Sequence, residues 1–208
     1  MTPDPRYRIT DVQALAERYG EPGQASLSKE LDYLHPHYQA FIQAAPFAVL
    51  ATSSAEGLDA SPRGDPAGFV AVHDAHTLML PDRRGNNRID SLRNVLEDPR
   101  VALLFLIPGV GETLRVNGRA TISVDPQLLE HYAMDGKPAR SVMVVAVEKV
   151  YFQCSRAVVR ARLWEADSQI PRSALPSTGR MLGDFSAGEI DGAAYDRDLP
   201  ERLDKTLY

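Results

Sequence analysis

Between residues 114 and 124 apolar side chains take the even positions (Leu114, Val116, Ala120, Ile122, Val124), while Thr113, Arg115, Asn117, Arg119, Thr121 and Ser123 take the odd ones. Side chains alternate across a strand with period two, so this stretch predicts a strand with one buried and one polar face. Helical geometry would scatter the same residues around its circumference. A sheet dry on one side and wet on the other is characteristically antiparallel.

The middle of the chain follows the same logic. Residues 47–52 and 58–63 are strand candidates joined by a Glu56-Gly57 turn; residues 69–72 and 77–80 flank the polar stretch His73-Asp74-Ala75-His76. Residues 100–107 predict a buried strand that turns at Pro108-Gly109, and residues 141–152 a final long one. Helical signals are shorter. Thr10 with Gln13 predicts a capping box for a helix stopped at Gly20. From Ser28 the apolar rhythm Leu31, Leu34, Tyr38, Phe41, Ala45 predicts a helical face, with a restart at Pro36 and an end at Pro46. Residues 88–96 predict a helix facing inward through Ile89, Leu92 and Leu96, and Asp125-Pro126 open another that runs to about Met134. Six or so strands without regular βαβ alternation predict a mainly β (α+β) fold, an antiparallel barrel with short peripheral helices at its ends. The boundaries expected are an N-terminal helical segment 1–45, a barrel 46–165 and a C-terminal arm 166–208.

Composition narrows the setting. A single cysteine, Cys154, excludes an intrachain disulfide framework and makes the reducing cytoplasm the simplest compartment. The longest apolar run, 101–108, is far too short to span a bilayer as a helix. A formal charge of -5 disfavours nonspecific nucleic-acid binding but is compatible with a local anion site.

Such a site is expected at Pro81-Asp82-Arg83-Arg84-Gly85-Asn86-Asn87-Arg88, where three arginines, a glycine and two asparagines meet a predicted strand-to-helix junction. Helix N-terminal amides are unsatisfied donors, and guanidinium groups grip phosphate in a forked geometry. Phosphate suits several converging arginines better than carboxylate, because a phosphomonoester carries about -1.5 to -2 charges. Arg88, at the helix entrance, is expected to hold it, and Arg83, before Gly85, to face solvent. The alternative is a solvated turn in which Asn86 or Asn87 caps the helix.

The succession FAVLATSSAEGLDASPRGD, TLMLPDRRGNNRIDSLRNVLEDPRVALLFLIPG and ETLRVNGRATI resembles the pyridoxamine 5'-phosphate oxidase-like FMN proteins, over about residues 40–165. That resemblance implies a split β-barrel and a homodimer holding FMN at its interface. It implies that Arg88 and Asn87, helped by Arg84 and Asn86, hold the phosphate. Ser61, Pro62 and Arg63 would run beside the ribityl chain and ring, Leu80, Pro81 and Asp82 would face the ring's polar edge, and Thr113 and Arg115 would reach in from the partner subunit. The function implied is an FMN-dependent oxidoreductase acting with an unknown small-molecule substrate or electron donor. A flavin-storage protein, or a heme- or deazaflavin-binding relative, shares the same loop. The segment YFQCSRAVVRARLWEADSQIPRS lacks the Arg-x-His substrate signature of true pyridoxamine phosphate oxidases, so vitamin B6 chemistry is not expected.

Other signals carry less. His35 with His37 and His73 with His76 lack further ligands nearby, so no metal is expected. Cys154 is expected to be buried, and Trp164 to anchor the C-terminal segment to the barrel.

Overall fold

The alternating stretch becomes β6 (Thr113–Ser123), the middle strand of one seven-stranded antiparallel sheet in the computed structural model, which describes residues 4–207. The order is β2 (Gly57–Gly64), β1 (Phe47–Ser54), β5 (Arg100–Leu106), β6, β7 (Ser141–Gln153), β4 (Thr77–Asp82) and β3 (Ala71–Asp74). Strands β1 and β4 are separated by three others, yet Leu50 of β1 and Leu78 and Leu80 of β4 belong to one buried cluster with Phe105, Val116 and Val145. The sheet therefore rolls around a single core. Its end strands share no ladder, so the roll is split rather than sealed by backbone bonds.

Helices close the roll and extend beyond it. Helix α3 (Pro36–Ala44) buries Tyr38 and Ile42 in the cluster, and α4 (Asp90–Glu97) adds Val95. Helices α1 (Val12–Tyr19) and α2 (Gln24–Ser28) precede the core, and α5 (Pro126–His131) and α6 (Arg156–Ala161) flank β7. Beyond them α7 (Thr178–Phe185) and α8 (Gly192–Thr206) pack on each other, with the Asp196 carboxylate accepting from the Gly179 amide at 2.7 Å. No helix among the described residues is long and apolar enough to cross a membrane.

Several local expectations are corrected. The side chain that caps α1 is Asp11, accepting from the Ala14 amide at 2.8 Å, rather than Thr10. Leu31 is not helical: it exchanges backbone bonds with Val150 at 3.0 and 2.8 Å, docking an extended segment on β7 before Pro36 starts α3. The inward face of α4 is Ser91 and Val95, with Leu92 packed against the core as expected, while Ile89, which precedes the helix, and Leu96 are exposed. Helix α5 stops at His131, short of Met134. Val124 lies past the end of β6 and is exposed. Cys154 is exposed rather than buried, since β7 ends just before it. Trp164 does anchor its segment, donating Nε1–H to the Val110 carbonyl at 2.8 Å.

Candidate functional site

The split in the sheet is where polar groups collect. Strand β3 pairs with β4 only through residue 79, so Leu80, Pro81 and Asp82 have β7 on one side and no strand on the other. Pro81 suits that position because it has no ladder proton to offer. Across the gap lies β2, whose inward residues Ser61 and Arg63 are half-buried while Pro62 between them is exposed, as alternation requires. Side chains lace the gap. Arg63 Nη1 lies 3.2 Å from Asp82, and Arg83 donates Nε–H to Asp65 at 2.6 Å and Nη1–H to the Tyr132 carbonyl at 3.0 Å.

Between these edges opens a cleft of about 680 Å³, within the range of about 300–1,000 Å³ usual for small-molecule sites. Ten of the twelve residues expected at a cofactor line it: Ser61, Pro62, Arg63, Leu80, Pro81, Asp82, Arg84, Asn86, Asn87 and Arg88. Thr113 and Arg115 do not. They stand on the outer face of β6, where Arg115 donates to Tyr151 Oη at 2.9 Å and lies 5.5 Å from that ring's centroid. Its Nη2 and Nε point at the Gln153 carboxamide, 2.7 and 3.1 Å away in the orientation in which the amide oxygen accepts.

At the cleft's mouth, Asn87 and Ile89 adopt left-handed conformations (φ 59° and 54°) on the way into α4. Asparagine tolerates that region, but a β-branched residue there is strained, and such strain persists where the surroundings enforce it. Ile89 sits at the N-cap and has no side chain to offer the helix, so the first turn of α4 lacks a side-chain cap. Asn86 accepts from the Arg88 amide at 3.1 Å, tightening the turn rather than capping the helix.

Five arginines (Arg63, Arg83, Arg84, Arg88, Arg140) and four aspartates (Asp59, Asp65, Asp82, Asp90) line the cleft. Three arginines are paired, Arg88 with Asp90 at 2.8 Å being the third; Arg84 and Arg140 have no carboxylate partner among the described residues. Arg83 is thus the shielded member of the basic run and Arg88 the exposed one, the reverse of the orientation expected for Arg83. Deeper in, Arg63 Nε and Ser141 Oγ are buried without hydrogen-bond partners. Burial pushes the Asp82 carboxyl above its ordinary range, against the opposing pull of Arg63 and Arg140. Phe69, Leu80, Leu92 and Ile122 supply apolar wall.

Four participants were not singled out by motif. Arg140 reaches Asn87 Oδ1 at 2.8 Å, and its amide donates to the Asp82 carbonyl. Ser91 donates to Asp59 at 3.0 Å, and Ser141 stands opposite Asp82 in the β4–β7 register. Ser91 follows the basic run by three residues but belongs to no motif; Arg140 and Ser141 reach the run through the β4–β7 pairing, and Asp59 through its bond to Ser91.

Residues 34–154, more than half of the chain, match the family model described as Pyridoxamine 5'-phosphate oxidase. The chain belongs to this family. The matched span contains all seven strands and every expected site residue, so the pyridoxamine 5'-phosphate oxidase family relation covers the rolled sheet and its split, not the terminal helices. No curated protein matches the sequence. Among solved structures, the chain is similar to HupZ of Group A Streptococcus (17% identity, 58% of this chain and 94% of that one, TM-score 0.48). It is also similar to a candidate pyridoxamine 5'-phosphate oxidase from Lactobacillus delbrueckii (21%, 59% and 98%, 0.47) and to General Stress Protein 26 from Bacillus anthracis (16%, 54% and 88%, 0.41).

Proposed function

We propose that the cleft binds FMN and that the protein is an FMN-dependent oxidoreductase working as a homodimer. The observation that carries this reading is the polarity of the cleft from end to end. Its mouth offers an uncapped helix start and two guanidinium groups without carboxylates; its interior offers apolar wall with two buried, unpartnered polar atoms. A phosphate fits the first end and a flat heteroaromatic ring with polar edges fits the second.

Arg84, Arg88, Asn86 and Asn87 would hold the phosphate. Ser61 and Arg63 would flank the chain and ring from β2, with Pro62 at the rim, while Leu80, Pro81 and Asp82 would face the ring from β4. When bound, FMN supplies hydride or electron transfer; the chain supplies orientation and electrostatics. A guanidinium beside a redox-active ring favours the state with more negative charge, and Arg63 is held in place for that by Asp82.

The homodimer rests on the outer face of the sheet. Cross-strand registers set Pro62, Val49, Leu104, Arg115 and Tyr151 in one row, with Ala60, Ala51, Ala102, Asn117 and Lys149 beside it. An apolar band ending in a cluster around Arg115, with Asn117 Oδ1 buried and unpartnered, fits a second copy of the chain, and would let Thr113 and Arg115 complete that copy's site.

The test is titration of the apo-protein by flavin fluorescence quenching, with mass spectrometry of any ligand released from the purified protein. FMN should bind at least tenfold more tightly than riboflavin, since a charge-assisted phosphate contact contributes about 1.5–3 kcal/mol. Equal affinity for the two would overturn the phosphate assignment.

A further inference from the structure

The three ion pairs that line the cleft differ in kind. Arg63–Asp82 and Arg83–Asp65 cross the split, with side chains 26% and 19%, and 17% and 10%, exposed. Arg88–Asp90 joins residues two apart, crosses nothing, and leaves its side chains 75% and 41% exposed. The first two are built into the sheet's closure. The third can be exchanged without moving a strand.

Asp90 is the first residue of α4 and the one acidic residue of its first turn, at a helix start with no side-chain cap. Asp90 therefore lies in the first turn of α4, where negative charge is favoured, and accepts from the Arg88 guanidinium as an incoming anion would. The hydrogen bond to Asp90 is the largest influence raising the Arg88 pKa above its ordinary value, with Asp59 acting more remotely. Asp59 is meanwhile bonded to the buried Ser91. Ser141 Oγ, buried and unpartnered deeper in the same cleft, marks the cleft as built to receive a polar group from outside the chain.

We infer that Asp90 is a built-in competitor at the cleft's anion site: it holds Arg88 as a stand-in anion, and an incoming phosphate must take the guanidinium from it. The inference rests on the phosphate-binding reading given above. A ligand phosphate that needs the Arg88 guanidinium must first break its bond to Asp90, whereas a ligand without a phosphate need not. Asp90 thus lowers affinity for phosphate-bearing ligands and leaves that for an uncharged one such as riboflavin unchanged.

The experiment compares the full chain with Asp90→Asn, Arg88→Ala and the double variant, titrated with FMN, riboflavin and inorganic phosphate at low and high monovalent salt. Thermal stability of each variant is measured alongside. Asp90→Asn should tighten FMN and phosphate by roughly threefold to tenfold at low salt, less at high salt, and leave riboflavin within about twofold. In the Arg88→Ala background the gain should vanish. Weaker FMN binding by Asp90→Asn, an equal gain for riboflavin, or a gain that survives Arg88→Ala would overturn the inference. If phosphate binds and FMN does not, the flavin reading fails and Asp90 is judged on phosphate. If FMN binds but Asp90→Asn binds it no more tightly, the inference fails and the flavin reading stands. Binding of neither ligand overturns both.

Discussion

Arg83 holds Asp65 and the Tyr132 carbonyl at once, from a side chain only 17% exposed. Removing one partner of a shielded pair takes a charge-assisted bond from the other, so Arg83→Ala should cost about 2–4 kcal/mol in urea denaturation. A loss below about 1 kcal/mol would mean the pair behaves as an ordinary surface contact. Its neighbour in sequence, Asp82, gives a pH signature. The carboxyl is raised by burial, so the folded state binds its proton more tightly than the unfolded chain does. Its contribution to stability is complete below the ordinary aspartate value of 3.8 and is lost as pH rises through the raised folded value. The stability of the wild type relative to Asp82→Asn should therefore fall as pH rises above 3.8, and a difference constant between pH 4 and 7 would refute this. The basic run was legible because its residue types share one chemistry. Which arginine turns inward was not, because Asp65 and Tyr132 become its partners only when β2 and the end of α5 arrive beside it.

Among the elements, β6 and β7 show how far a pattern can be read. In β7 the core residues are Met143, Val145 and Val147, then Val150, and the change of parity falls at the adjacent polar residues Glu148 and Lys149. The ladder shifts register there, opposite Asn117 and Gly118. A β-carbon on Gly118 would lie 2.1 Å from the Ala146 carbonyl oxygen, so only glycine fits the strand at this crossing. Gly118→Ala should destabilise the protein by about 3 kcal/mol or more, since backbone rather than a side chain must give way. Gly85→Ala, with nothing within 4 Å of the new methyl, should change stability by less than about 1 kcal/mol; comparing the two melting curves tests the point. Strands were readable because burial on one face imposes period two. The start of α4 was not, because left-handed Asn87 and Ile89 postpone the helix without any glycine to signal the turn. Leu31 was misread for a related reason: spacing that suits a helical face also suits single anchors along an extended segment.

At the level of the whole molecule, the apolar rows on the outer sheet face carry the proposed homodimer. A charge at Leu104 would stand in the middle of the proposed interface, opposite Val49 on one side and Arg115 on the other. Light scattering should give twice 22.9 kDa for the wild type and the single-chain mass for Leu104→Asp. FMN affinity should fall with the dimer, because Thr113 and Arg115 would no longer reach a neighbouring cleft. A Leu104→Asp protein that remains dimeric would remove this face from consideration. The terminal helices were poorly legible as a unit, since the close approach of Gly179 to Gly192 depends on α7 and α8 already being in place.

The seam of the rolled sheet has one more consequence. Six strand pairings along the roll are fixed by backbone ladders, whose spacing hardly varies from one protein to another. The seventh junction is made by the side chains of Arg63, Asp82, Arg83 and Asp65, whose lengths are a matter of sequence. Gauge at that junction is therefore tunable by substitution alone: shorter pairs would draw the edges together, longer or missing ones would let them part, and the remaining circumference would keep its form. A scaffold of this kind can change the size of its guest without redesigning its walls.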